Sequence, residues 1–256
     1  MIAEPDFTQA IYLYGFISSN RIVPSMLGVD NLHFLELHAC NGLVAVVSLV
    51  LLADFEGLDS EENAQYLAWI TPLACRHSMV IDKLMEQDAI YPLSFGTLFS
   101  SIDALEQAMT QRSDVVSALL QHISGCQEWS LEVTLDRNQA VQGLLEDGLR
   151  SGDITLPEAS GRRHLEEQKL RRKLQAELNE WMDGVLVAIH ESIKPLMRDS
   201  CQRKLTDNKL MHWAFLIPEV AVVLFQQRID QIATNYQPYG FSFRVTGPWA
   251  AYSFAR

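Results

Sequence analysis

The chain has 256 residues, 48% of them hydrophobic, with 32 acidic against 20 basic residues and a formal charge of −12. That length and apolar content fit one large globular domain or two ordinary ones and argue against disorder. The acidic excess repels phosphate backbones, so nucleic acid is not an expected partner.

The N-terminus, "MIAEPDFTQA", has no basic stretch followed by an apolar one, so no secretory signal is read there and the protein is expected to stay inside the cell. "AIYLYGFI", Ala10 to Ile17, alternates aliphatic and aromatic residues, apolar on both faces, as a strand in the interior of a sheet does. "LHFLELHA" and "LVAVVSLVLL" are a second and third strand. Asn41-Gly42 between them is a strong hairpin signal, because both residues tolerate positive φ. The apolar run from Leu43 to Ala53 has 11 residues, whereas a membrane-spanning helix needs roughly 20.

A helix capped by Asp59 or Ser60 follows, and Pro72 is expected to break or kink it, leaving a second helix through Leu73, His77, Val80, Ile81 and Leu84. "AIYPLSFGTLF", Ala89 to Phe99, reads as extended. Two short helices are then expected, near Ile102 to Thr110 and Asp114 to His122.

From Gly125 a second unit starts. "EWSLEVTLDR" places Trp129, Leu131, Val133 and Leu135 on one face and Glu128, Ser130, Glu132, Thr134 and Asp136 on the other, a strand covered on one side. A helix of about fifteen residues and the loop "SGDITLPEASG" lead to a long amphipathic helix from Arg162 to about Lys194, its charged first half projecting with the preceding helix as hairpin partner. The basic cluster "RRHLEEQKLRRK", Arg162 to Lys173, is interleaved with Glu166 and Glu167 and reads as a solvated helix with i,i+4 pairs. "KLMHWAFLIP" is a strand, Val220 to about Asn235 a helix, and "YGFSFRVTGPW" a last strand. This order approaches a ferredoxin-like fold, with "DSCQRKL" as a candidate for a short missing strand.

Chemistry-bearing motifs are scarce. There is no Walker A, GxGxxG, HExxH or GxSxG pattern. Cys40, Cys75, Cys126 and Cys201 lack metal-ligand spacing and are expected to be reduced, small buried hydrophobes. His33 and His38 fall on opposite faces of a predicted strand, and His77, His190 and His212 fall among apolar positions as hydrogen-bonded core or edge residues. No catalytic residue, metal or cofactor is expected.

Aromatic residues with Gly and Pro punctuation are what stand out: Phe95 and Gly96, Trp129, then Gly247, Pro248, Trp249, Tyr252 and Phe254. The terminal aromatics either fold back to plug the core or anchor a partner.

"AIYLYGF", "NGLVAVVS", "YPLSFGTLF", "EWSLEVTLD", "LMHWAFLIP" and "GFSFRVTGPWAAYSF", in that order and across nearly the whole chain, resemble the recurring blocks of the gas vesicle protein F/L family. One departure is that Ala250 and Ala251 stand where the family pattern usually has two prolines. The resemblance implies an α+β fold in two domains, 1–124 and 125–256, the second a modified ferredoxin-like domain carrying a projecting helical hairpin (about 137–194). It further implies a non-enzymatic accessory or minor structural protein of the gas vesicle, cytoplasmic during assembly. Such a protein would bind the hydrophobic main shell protein and other gas vesicle accessory proteins and prevent shell-protein aggregation during nucleation. No membrane, small-molecule substrate or cofactor belongs to that picture. The alternative is a small-molecule-binding module or enzyme on an α+β scaffold, since fold does not fix function.

Overall fold

Strand β1 (Gln9–Ile17) has the apolar-on-both-faces pattern of an interior strand, and it lies in the middle of a five-stranded antiparallel sheet. In a computed structural model describing residues 9–18, 25–55, 64–205 and 209–255, β1 pairs with β3 (Leu43–Leu51) on one side. On the other side lie the short strands β4 (Ile90–Pro92) and β5 (Leu98–Phe99), the two ends of the segment read as extended. β2 (Glu36–Cys40) completes the sheet against β3 through the Asn41-Gly42 turn, whose φ angles of 48° and 78° are those the hairpin demands. The pairing of β1 with β3 slips by one residue between Leu13 and Gly15, a bulge that carries Tyr14.

Two helices cover this sheet. Val80, Ile81 and Leu84 of α1 (Ala64–Met85) join Tyr12, Tyr14, Val44, Val46 and Val50 in one core, while α2 (Ile102–Ile123) runs against all five strands. Ile11, Leu13, Ala45 and Val47, at the alternate strand positions, are equally buried, so both faces are covered.

Three local expectations fail here. Pro72 does not interrupt α1, which runs through it; the Thr71 hydroxyl donates to the Leu67 carbonyl at 2.6 Å in the turn that the proline perturbs. The expected capping residues Asp59 and Ser60 lie outside the described residues. The two short helices are a single one, because Gln111 to Ser113, polar enough to read as a break, are simply exposed or half-exposed helix positions. The predicted strand "LHFLELHA" is extended only in its second half: Asp30 accepts hydrogen bonds from the Leu32 and His33 amides and holds the first half in a turn.

The second sheet has the order β7-β8-β6-β9, formed by β6 (Cys126–Leu135), β7 (Asp199–Gln202), β8 (Lys209–Pro218) and β9 (Phe241–Trp249). With α3 (Arg137–Ser151), α4 (Ser160–Ile193) and α5 (Val222–Tyr236) the chain order is β-α-α-β-β-α-β, the ferredoxin-like succession with one added helix, and "DSCQ" supplies the short strand. Asp136 caps α3 by accepting from the Asn138 and Gln139 amides, and Gly152, in the left-handed region, ends it. The helices α3 and α4 pair antiparallel: Arg137 bonds Asn179, while Arg171 bonds Gln142 and Glu167. Buried residues on α4 begin only at Leu178, so its charged first half carries none. Met182, Val185, Ile189 and Ile193 of α4 and Phe225, Ile229 and Ile232 of α5 pack on Trp129, Leu131, Val133, Met211, Phe215, Ile217 and Phe241 of the sheet.

Contacts divide the chain into one unit of residues 1–128 with 248–256 and another of 129–247. Residues 248–255 therefore group with the first unit, where the spans 1–124 and 125–256 had assigned them to the second. Gly247 lies inside the last strand at φ 145°.

Candidate partner-binding surface

The polar centre of the first unit is His77, 4% exposed on α1. Its Nδ1 lies 2.9 Å from the Tyr12 hydroxyl and its Nε2 lies 3.2 Å from that of Tyr252, while its ring stacks on Tyr14. Tyr12 accepts from the Gly96 amide at 3.0 Å, and Tyr14 accepts from the Val29 amide and bonds Ser48. Burial pushes His77 down to about 4, against an opposing interaction with the Leu93 backbone, and burial pushes Tyr14 and Tyr252 up to about 12. At neutral pH this is an uncharged hydrogen-bonded core, the structural role expected for His77.

Phe95 and Gly96 belong to that core. Phe95 packs against Tyr12, Phe55 and His77, and Gly96 sits at φ 82° where the chain turns between β4 and β5. In the C-terminal segment the residues fully buried are the small ones, Ala250, Ala251 and Ser253; Trp249 and Tyr252 keep 44% and 39% exposure, Pro248 is exposed, and Phe254 is half-buried. Ala250 and Ala251 are thus buried in the first unit, and the backbone closes a turn over them through the Phe254 and Ala255 amides to the Ala251 carbonyl. Glu128, read as a solvent-facing strand residue, is fully buried because Ser253 donates to it from both amide and hydroxyl at 2.8 Å.

In the second unit Trp129 is 7% exposed, packs on Phe225, and buries an indole N–H with no acceptor among the described residues. Glu132, Lys209 and His212 form a charge cluster on the sheet; the Lys209 hydrogen bond holds the Glu132 carboxyl below its usual range. His190 lies 3.3 Å from the Ser200 hydroxyl, but Glu191 is 3.9 Å from its other nitrogen, too far to orient it as a triad acid would. His33 pairs with Asp30 in a turn and His38 with Glu106, so the two share no site. The four cysteines are free and none is fully buried, Cys75 being exposed, which corrects their reading as core residues. Among the described residues no His, Cys, Asp and Glu side chains group as metal ligands, and no helix is long and apolar enough to cross a membrane.

Sequence reasoning missed an uncovered apolar group at the entry to α5. Val220, in the 3₁₀ turn Glu219–Ala221 that leads into α5, is 93% exposed, and Val223 and Leu224 in the first turn of α5 are 62% and 56% exposed, while Phe225 faces inward. The signal was present in "PEVAVVLF": an apolar run too wide for one buried helix face.

These features define an α+β protein with an antiparallel five-stranded sheet and a four-stranded ferredoxin-like one, which leaves several large apolar side chains uncovered. The family model described as gas vesicle synthesis protein GvpL/GvpF matches residues 10–256, and the chain belongs to that family. It is 25% identical over 226 residues to gas vesicle protein L of a Streptomyces species, covering 83% of this chain and 80% of that one. It is 21% identical over 250 residues to gas vesicle protein F1 of Halobacterium salinarum, covering 96% and 93%. Its fold matches the crystal structures of GvpF from an Anabaena species (TM-score 0.68, 18% identity, 97% and 96% covered) and from Microcystis aeruginosa (0.69, 19%, 96% and 99%).

Proposed function

We propose that this protein is a non-enzymatic assembly factor that binds the hydrophobic main shell protein of the gas vesicle and keeps it from aggregating during nucleation, in the cytoplasm and alongside other gas vesicle accessory proteins. The observation that carries this reading is the group Val220, Val223 and Leu224, uncovered where the chain enters α5, whose other face carries the buried Phe225, Ile229 and Ile232. Before assembly, a shell subunit with an apolar gas-facing surface exposes what such a stripe can cover. Leu165 and Val187 on α4 are exposed as well, which keeps the long helix a contact candidate, whereas both faces of the N-terminal sheet are occupied by its own helices. Trp249 and Tyr252 are the remaining aromatic anchors.

Co-purification of the shell protein with the tagged full chain, and light scattering of shell protein with and without it, test the proposal. A Val220→Glu, Val223→Glu, Leu224→Glu variant should fold, since none of the three is packed in the core, and should lose both capture and suppression of scattering. Undiminished capture by this variant removes α5 as the contact. A wild-type chain that leaves scattering unchanged overturns the function.

A further inference from the structure

The second unit also holds a cavity of about 430 Å³ where α4 overlies the outer strands of its sheet. One stripe of α4, Asp183, Leu186, Val187, His190 and Glu191, forms one wall, while Leu210, Met211 and Trp213 of β8, with Gln202 at the end of β7, form the other. The volume lies within the range of sites that hold a ligand of several side chains' size. His190 in this lining has its ring 4.5 Å from that of Trp213 and its Nε2 turned to Ser200.

We propose that this cavity is a docking site for a partner polypeptide presenting an apolar side chain next to a lysine or arginine. Apolar surface from Leu186, Val187, Leu210, Met211 and Trp213 would cover the side chain. Charge selects the neighbour: the two carboxylates at the cavity are Asp183 and Glu191. Lys194 partly neutralises Glu191 at 3.1 Å, and Lys209, next to the lining residue Leu210, is held by Glu132. Asp183 has no ion pair among the described residues, so it is available to an incoming cation. A polypeptide is favoured over a compact small molecule because β7 is the outermost strand of its sheet, and a strand edge beside a side-chain pocket suits an extended chain. The inference goes beyond the shell-protein reading and rests on it only in expecting a macromolecular occupant.

The test is NMR of the full chain, methyl-labelled at methionine and nitrogen-labelled, titrated with acetyl-Phe-Lys-Leu-amide and with the matched acetyl-Phe-Glu-Leu-amide. The lysine peptide should shift the Met211 methyl and Trp213 indole signals with saturation, and the glutamate peptide should bind more weakly. Asp183 is exposed, so Asp183→Lys should fold normally, which the unchanged remainder of the spectrum verifies, and should weaken the lysine peptide about fivefold. Silence of Met211 and Trp213 at about 10 mM peptide, where even a millimolar site is nearly filled, overturns the proposal. So does equal binding of the two peptides, or indifference to Asp183→Lys. Loss of shell-protein capture by the α5 variant with peptide binding intact would separate the two surfaces; a chain that binds the lysine peptide but ignores shell protein keeps this site and loses the function proposed above.

Discussion

Glu128 and Ser253 lie 125 residues apart in sequence, yet the Ser253 amide and hydroxyl each donate to the Glu128 carboxylate at 2.8 Å, and both residues are buried. A carboxylate taken out of water is tolerated only where donors replace its hydration. Ser253→Ala removes one of those donors and should cost about 1–3 kcal/mol, read as a lowered urea midpoint for the first unit. Glu128→Ala should in addition make the C-terminal segment accessible to carboxypeptidase; resistance equal to wild type would refute the anchoring role.

His77 gives a pH dependence of definite sign. Its folded value of about 4 lies below the ordinary 6.5, so above pH 6.5 both folded and unfolded chains carry it neutral and its contribution is fully present. As pH falls from 6.5 towards 4 the unfolded chain takes up a proton that the folded core refuses, and roughly 3 kcal/mol of stability is lost across that window. His77→Gln should flatten this part of the stability profile measured by urea unfolding between pH 7 and 4. An unchanged slope would show that the imidazole does not titrate in this way.

Two glycines should respond oppositely to alanine. At Gly15, beside the bulge of β1, a Cβ would collide with the Tyr91 carbonyl oxygen, held in the paired strand, and press on the Ile90 side chain, so Gly15→Ala should destabilise by about 1–3 kcal/mol. At Gly184, exposed on α4 with nothing near its missing Cβ, alanine should stabilise by up to about 1 kcal/mol through helix propensity. Thermal unfolding of the two variants side by side checks the pair.

Trp129 contributes burial and carries an unanswered indole N–H. Trp129→Phe removes that donor while keeping most of the ring, and should cost less than about 1.5 kcal/mol, whereas Trp129→Ala should cost about 3–5 kcal/mol through the cavity it leaves. Equal losses for the two would mean that the N–H has a partner of real value.

Much of the fold was legible along the chain. The two-sided apolar pattern of Ala10 to Ile17 fixes an interior strand, Asn41-Gly42 fixes a hairpin, and the spacing from Leu170 to Ile193 fixes one face of a long helix. The breaks assigned at Pro72 and near Ser113 were not legible, because helix continuity there depends on neighbouring turns and on tertiary packing, which outweigh a single residue's propensity. The candidate surface was not legible: Phe95 and Trp129, singled out in the sequence, pack inside the two units, and the exposed group at Val220 looks in sequence like any other apolar run.

The amino-acid sequence by itself determined most of the strands and helices, the apolar side of most of them, and the family those blocks resemble. Only the tertiary structure decided that Glu128 is inside, that Ala250 and Ala251 enter the core while Trp249 stays half outside, and that one end of α5 is left bare. The reason is that periodicity is a property of neighbours along the chain, whereas the cost of burying a charge or exposing a valine is set by groups that only folding brings within reach.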